Sequence, residues 1–395
     1  MRGELVRKVW PANLNLNAPV QYRRACEYAT FIPFPLAGLN PQIPGDIARN
    51  ISDAEKAISH LNRETRPELM PLARLLLRTE SIASSKVEGM QVDARALARA
   101  EASQENGRSV GTNAAEILGN IDAMQLAIER ASSLDGIQLQ DLIDIHEALL
   151  KRAPGSPIAG CLRTSQNWIG GNDYNPWGAD FVPPPPEEVR RLLEDLCHFC
   201  NDDTLPVLVQ AAIAHAQFET IHPFADGNGR TGRALIHIIL RQRGLAPTFV
   251  PPISVILARE KEKYIEGLTL FREDRIPEWL GIFASAANRS AGLAITYAAQ
   301  AAELQERWRQ KLRAHSNPRA DAAAWAIIEV LPGHPFITVP VAVAATKRTR
   351  PAVTNAAAEL EAAGILRRIS ESPRSRTWEA DGLVDLIAAL DAGAG

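Results

Sequence analysis

Apolar positions recur along this chain at the three- and four-residue spacing of helices, and strand-like alternation is confined to short stretches. Ile51, Ala54, Ile58 and Leu61 fall on one helical face; Leu69, Leu72, Leu75 and Leu76 fall on another. Asn113, with Glu116 three residues on, can cap a helix running to about residue 131. A further helix spans about 139 to 152 and stops before Pro154-Gly155. Helical spacing returns over 187–200, 205–219, 233–243 and about 260–315. Residues 1 to about 42 are rich in Pro and Asn and read as an extended arm, and the polar stretch 99–111 reads as a loop. Residues 158–186 hold Gly160, Gly170, Gly171 and Gly178 and the run Pro183 to Pro186. Within them Trp168-Ile169 and Phe181-Val182 suit two short strands of a hairpin.

Beyond Ser316-Asn317-Pro318 the rhythm changes. Helices are expected over 322–331, 338–345 and 351–363. Strands are expected over 365–370 and 377–379, joined by Ser372-Pro373-Arg374-Ser375. Three helices and a two-stranded wing make the layout of a winged helix-turn-helix. Lys347, Arg348 and Arg350 flank the start of its recognition helix, and Arg367, Arg368, Arg374 and Arg376 surround the wing. Glu359, Glu361, Glu371 and Glu379 offset them, so this module suits DNA and a protein partner equally.

Composition narrows the picture. The 395 residues are enough for two or three domains, 46% of them are hydrophobic, and the net charge is −3, so no overall field draws the chain to nucleic acid or anionic lipid. Four cysteines are too few for a disulfide framework in a chain of this length. No apolar run reaches the roughly 18 residues a spanning helix needs, and the N-terminus lacks the apolar core of a secretory signal. A cytoplasmic setting without a membrane partner is expected. Cys197-x-x-Cys200 has no second pair to complete a metal site and fits an apolar helical stripe.

The densest chemistry is at residues 222–233, His-Pro-Phe-Ala-Asp-Gly-Asn-Gly-Arg-Thr-Gly-Arg. Gly227, Gly229 and Gly232 match the spacing G-x-G-x-x-G, but the preceding segment is helical by period, which excludes the strand a dinucleotide fold requires there. The run instead builds a turn between two helices. The second helix would present free N–H groups and a positive dipole end near residues 229–231. His222 would face the same turn as a base, Asp226 could ligate a metal ion, and Arg230 and Arg233 carry the donor forks that fit phosphate.

The pattern His-x-Phe-x-Asp-Gly-Asn-Gly-Arg-x-x-Arg resembles the active-site motif of Fic-domain proteins, matched by His222, Phe224, Asp226, Gly227, Asn228, Gly229, Arg230 and Arg233. The flanking Phe218-Glu219-x-Ile221 and the segment Phe181-Val182-Pro-Pro-Pro-Pro-Glu187 resemble Fic cores as well. The resemblance implies a mainly α fold, a Fic-type helical core with a small β-hairpin flap. The winged helix-turn-helix would follow it. The expected organisation is an arm and helical region over 1–112, the core over 113–290, a helical linker over 291–317 and the winged module over 318–395.

The same resemblance implies transfer of AMP from ATP to a Ser, Thr or Tyr hydroxyl of a target protein, the chain itself included. His222 would be the general base and Asp226 the Mg²⁺ ligand. Gly227, Asn228 and Gly229 would stabilise phosphate charge, and Arg230 and Arg233 would clamp the outer phosphates. Residues 84–89, Ser-Ser-Lys-Val-Glu-Gly, resemble the family's inhibitory helix through Ser84, Glu88 and Gly89. There the resemblance implies that Glu88 pairs with Arg233 and holds activity low. Trp168, Ile169 and Gly170 would form the flap that docks the target strand. A de-adenylylating hydrolase, a transferase using another nucleotide donor, and a DNA-binding regulator that senses nucleotide are the alternatives. A homodimer is compatible with the chain.

Overall fold

The computed structural model describes residues 1–63, 70–105, 109–132, 136–152, 157–369 and 376–392. In chain order its elements are β1 (Gly3–Trp10), β2 (Cys26–Pro33), α1 (Gly45–Arg63), α2 (Met70–Val87), α3 (Ala94–Glu105), α4 (Thr112–Ala131), α5 (Leu139–Leu150) and α6 (Pro186–Cys200). Then come α7 (Val207–Ile221), α8 (Asn228–Gln242), α9 (Ile253–Arg259), α10 (Lys261–Arg272) and α11 (Ile276–His315). The chain closes with α12 (Ala323–Val330), β3 (Phe336–Thr338), α13 (Val339–Thr346), α14 (Arg350–Ala362), β4 (Leu366–Arg368), β5 (Thr377–Ala380) and α15 (Leu383–Ala392). The fold is mainly helical with small sheets, as the spacing predicts. The expected stop at Pro154-Gly155 and the turn at 372–375 lie outside the described residues.

Two compact units divide the chain: residues 1–55, 115–245 and 259–286, and residues 56–114, 246–258 and 287–395. The first is built around α7, whose residues from Leu208 to Ile221 are all buried. A helix that is apolar on every side has no solvent face and becomes the centre of its unit. Its polar members have partners: Gln210 Nε2 donates to the Phe199 carbonyl at 2.8 Å, and His215 Nε2 lies 2.9 Å from the Tyr264 hydroxyl. α8 meets α7 closely at Gly232, where an added Cβ would come within 2.6 Å of Glu219 Oε1 and 2.9 Å of Phe218 Cδ1. Cys197 and Cys200 lie on the buried face of α6, and burial pushes the Cys197 thiol up to about 12.

The expected extended arm is instead a two-stranded antiparallel sheet, β1 against β2, in register from Gly3 opposite Pro33 to Trp10 opposite Cys26. Charged residues on both faces of β1, Arg7 beside Leu5 and Val9 on one and Glu4 and Lys8 beside Val6 and Trp10 on the other, break the apolar rhythm and hide the strand from a periodicity reading. The sheet is anchored where Phe31 N–H donates to the Val182 carbonyl at 2.9 Å.

The second unit has one apolar core. Leu72, Leu75 and Leu76 of α2 join Trp308 of α11, Ile327 and Ile328 of α12, Val353 and Leu360 of α14, and Trp378 of β5. The stretch expected to be a loop from residue 99 is helical to Glu105 in α3. Ala, Leu and Arg are strong helix formers, and Asp93 Oδ2 caps the helix by accepting the Ala96 N–H at 3.1 Å. The C-terminal strands form a three-stranded antiparallel sheet in the order β3-β5-β4. β3 was not foreseen, because three residues before a proline-containing helix leave no alternation to read.

Glu379 of β5, 2% exposed, ties α3 to this sheet. It accepts two hydrogen bonds of 2.8 Å from Arg95 and one of 2.7 Å from Arg367. Burial alone would raise its carboxyl, but the hydrogen bonds and charges of the two arginines outweigh burial and hold it below the usual carboxylate value. A depressed carboxyl contributes stability above its unfolded value, near pH 4, and that stability is lost as pH falls through the folded value. Glu379→Gln should therefore lower stability by about 2 kcal/mol at pH 7. In thermal unfolding across pH, the gap between variant and wild type should close below about pH 4.

Candidate functional site

The glycine motif occupies the corner between α7 and α8. His222 ends α7 in the left-handed conformation, φ 50° and ψ 60°. A residue with a Cβ bears a penalty of roughly 1–2 kcal/mol there, so surrounding contacts must hold it. They do so through its carbonyl, which accepts from Arg163 Nε at 2.8 Å and Asn167 Nδ2 at 3.4 Å. The ring lies at the helix end, with Nδ1 3.4 Å from the Glu219 carbonyl and 4.0 Å from Glu219 Oε2. The side chain is 20% exposed.

Phe224 anchors the loop, fully buried. Asn228 clasps its backbone on both sides: Phe224 N–H donates to Asn228 Oδ1 at 2.8 Å, and Asn228 Nδ2 donates to the Phe224 carbonyl at 2.8 Å. Asn228 thus fixes the loop's shape. Gly227 has φ 76°, and a Cβ on it would sit 2.8 Å from Leu149 Cδ2. Only glycine fits this turn without strain. α8 then starts at Asn228, earlier than the spacing predicts, which places its N-terminal N–H groups at the turn.

Asp226 is 63% exposed. Its Oδ1 accepts the Gly227 N–H at 2.6 Å, and its Oδ2 lies 3.7 Å from Arg230 Nη2. Among the described residues there is no group of three or more His, Cys, Asp or Glu side chains that could cage a metal. One exposed carboxylate does suit Mg²⁺, which keeps several waters and takes its other ligands from phosphates. Arg230 and Arg233 are each 1% exposed. Arg230 Nη1 donates to Glu116 Oε2 of α4 at 3.0 Å.

The sequence gives no sign of Arg163, and it marks His146 only as a packing or surface residue of a helix. Arg163, 5% exposed, donates to the carbonyls of Ile221, His222, Pro184 and Ser165. Burial pushes its pKa down to about 10, which leaves it charged at neutral pH. One guanidinium therefore ties the end of α7 to the flap's base. No sequence motif marks it. His146 of α5 stacks on Phe224, ring centroids 3.7 Å apart and planes within 4°. Its Nδ1 accepts the Gly160 N–H at 3.1 Å, so the proton sits on Nε2, which donates to the Asp226 carbonyl at 2.9 Å. Burial pushes this imidazole down to about 4, so it is neutral. Its place among Leu142, Ile145 and Leu149 was the available signal: a polar ring on an apolar helix face must have partners.

The flap is less regular than two paired strands. Ile169 and Phe181 form a single bridge, with Ile169 N–H donating to the Phe181 carbonyl at 2.8 Å. Gly170 and Gly171 both have φ 74° and turn the chain out of strand geometry. Trp168 packs edge-on against Trp10 at 5.5 Å, and Ile169 is 39% exposed. Ser84, Glu88 and Gly89 belong to the second unit. Ser84 is buried on α2, while Glu88 is exposed just past the helix end and Gly89, φ 84°, closes it.

Residues 136–240 match the model of the Fic/DOC family, and residues 48–129 match that of the Fic/DOC family N-terminal region. This is a Fic-domain protein. The chain is 27% identical over 213 residues to protein adenylyltransferase fic-1 of Caenorhabditis elegans, a match that covers 51% of this chain and 39% of that protein. It is 40% identical over 101 residues to the probable protein adenylyltransferase aq_aa38 of Aquifex aeolicus, covering 25% of this chain and 29% of that one. The chain thus spans well under half the length of these relatives. A Fic family protein from Desulfovibrio desulfuricans G20 shares the fold over 87% of this chain and 98% of its own, with TM-score 0.53 at 21% identity.

Arg163→Lys should leave at least one of the four carbonyls without a donor and lower stability by about 2–4 kcal/mol. His146→Phe keeps the stack but strands the Asp226 carbonyl, at about 1–3 kcal/mol. Chemical denaturation of both variants checks these values.

Proposed function

We propose that this Fic domain transfers AMP from ATP to a Ser, Thr or Tyr hydroxyl of a target protein. The observation that carries the reading is the corner itself: an imidazole at the end of α7 beside the N–H groups that open α8. The curated relatives named protein adenylyltransferase support it at the level of the family. In this reading His222 accepts the proton of the attacking hydroxyl, a task suited to a side chain whose ordinary pKa is near ~6.5. The loop backbone at Gly227 and Gly229, with the positive end of α8, stabilises charge on the phosphates. Arg230 and Arg233 clamp the outer phosphates. Asp226 would hold Mg²⁺, which neutralises phosphate charge when bound. The hydroxyl attacks the α-phosphorus, the bond to the β-phosphate oxygen breaks, and pyrophosphate leaves.

The target would dock on the flap. Ile169 turns its N–H and carbonyl toward Phe181 and Asp180, which leaves the other edge at Trp168 for an added strand. Glu88 would act as a brake by competing with the nucleotide for Arg233. In the C-terminal module, α13, α14 and the sheet β3-β5-β4 suit a winged helix-turn-helix. Lys347, Arg348 and Arg350 are exposed there, while the Thr354 hydroxyl donates to the Arg350 carbonyl and so is drawn from base contact. We read this module as contacting phosphates with little sequence preference.

Incubation with α-labelled ATP and Mg²⁺ tests the reading. Wild type should incorporate little label, Glu88→Gly should incorporate at least tenfold more, and His222→Ala should incorporate none. Equal labelling in wild type and Glu88→Gly removes the brake, and undiminished labelling in His222→Ala removes the base.

A further inference from the structure

The second unit contains a cavity of about 70 Å³ with both polar and apolar lining, remote in sequence from the glycine motif. It is lined by Arg74 and Arg78 of α2, Glu101 of α3, His334, Thr338 of β3 and Thr377 of β5. The lining thus comes from the helix pair α2–α3 on one side and the C-terminal sheet on the other. Two arginines against one glutamate leave an excess positive charge. Arg78 and Glu101 pair through two parallel bonds of 3.3 and 2.9 Å, so Arg78 is held in a fixed position. Burial, with the charges of Arg74 and Arg78, pushes His334 down to about 4, so its ring is neutral and offers one N–H donor.

The walls cannot easily close on each other. Leu72, Leu75 and Leu76 fix α2 in the apolar core. At the turn 331–333, a Cβ on Gly333 would come within 2.6 Å of the Pro71 carbonyl oxygen. A rigid, positively biased cavity with guanidinium, imidazole and hydroxyl donors suits a compact oxyanion. We propose that this cavity binds a phosphate-sized oxyanion, which bridges Arg74 and Arg78 to the residues of the C-terminal sheet. Bound there, the anion braces α2, the helix that ends at Ser84 to Gly89. The binding is independent of the transferase reading; only its effect on the brake would rest on that reading.

Isothermal titration of the full chain with sodium phosphate, at ionic strength held constant with sodium chloride, tests the proposal. Arg74 is exposed on its helix, so Arg74→Gln should fold normally. The wild type should bind phosphate saturably, and Arg74→Gln should weaken that binding at least tenfold. Arg49→Gln, which removes an exposed charge of α1, should leave it unchanged. Phosphate should also slow amide hydrogen exchange along α2 in the wild type but not in Arg74→Gln. Phosphate held at the glycine turn would survive Arg74→Gln. Equal binding in wild type and Arg74→Gln therefore overturns the proposal, as does an equal loss in Arg49→Gln or heat that never saturates.

Discussion

One buried guanidinium holds the corner between α7 and α8 in shape. Arg163 lies among main-chain carbonyls from three segments, the end of α7, the flap and the polyproline run. A charge so placed is expensive to desolvate, and charge-assisted hydrogen bonds offset that expense only while all of its acceptors stay in place. The consequence is rigidity. The left-handed turn at His222, unfavourable for any residue with a Cβ, is held because its carbonyl is one of those acceptors.

The rest of the loop follows from that turn. Phe224 drops into the core against His146, Asn228 closes the backbone around Phe224, and the positive φ at Gly227 lets α8 start at once. The polar groups that could touch a ligand stand on a frame tied together by the hydrogen bonds of Arg163, His146 and Asn228. A site of this kind needs no reorganisation when charge develops, which is the condition for electrostatic stabilisation to be effective.

The helical architecture was legible because its cause is local. The faces Ile51, Ala54, Ile58 and Leu72, Leu75, Leu76 repeat at helical spacing and are buried as expected. The corner between α7 and α8 was legible because glycines, a carboxylate and arginines crowd into twelve positions, and the structure brings them together at one turn. What escaped was non-local. The strand β1 exists because β2 pairs with it, and the charges scattered over both of its faces conceal that pairing. Arg163 and His146 act on carbonyls 58 and 80 positions away; the apolar face around His146 says that its ring needs partners, but nothing near either residue says which. The flap failed as a strand pair because Gly170 and Gly171 turn it.

The second unit shows the same logic on a larger scale. α2 carries Ser84 and leads into Glu88, yet its apolar face belongs to the core it shares with α12 and α14, and Glu379 fastens α3 to the adjoining sheet. The segment bearing the candidate brake and the C-terminal module are therefore one folded body. The most direct test of the central claim is a crystal structure of the full chain with a non-hydrolysable ATP analogue and Mg²⁺. The account predicts phosphate oxygens hydrogen-bonded to the N–H groups that open α8, with the α-phosphorus facing the His222 ring. A triphosphate bound elsewhere, or a corner that rearranges to admit it, would contradict the account.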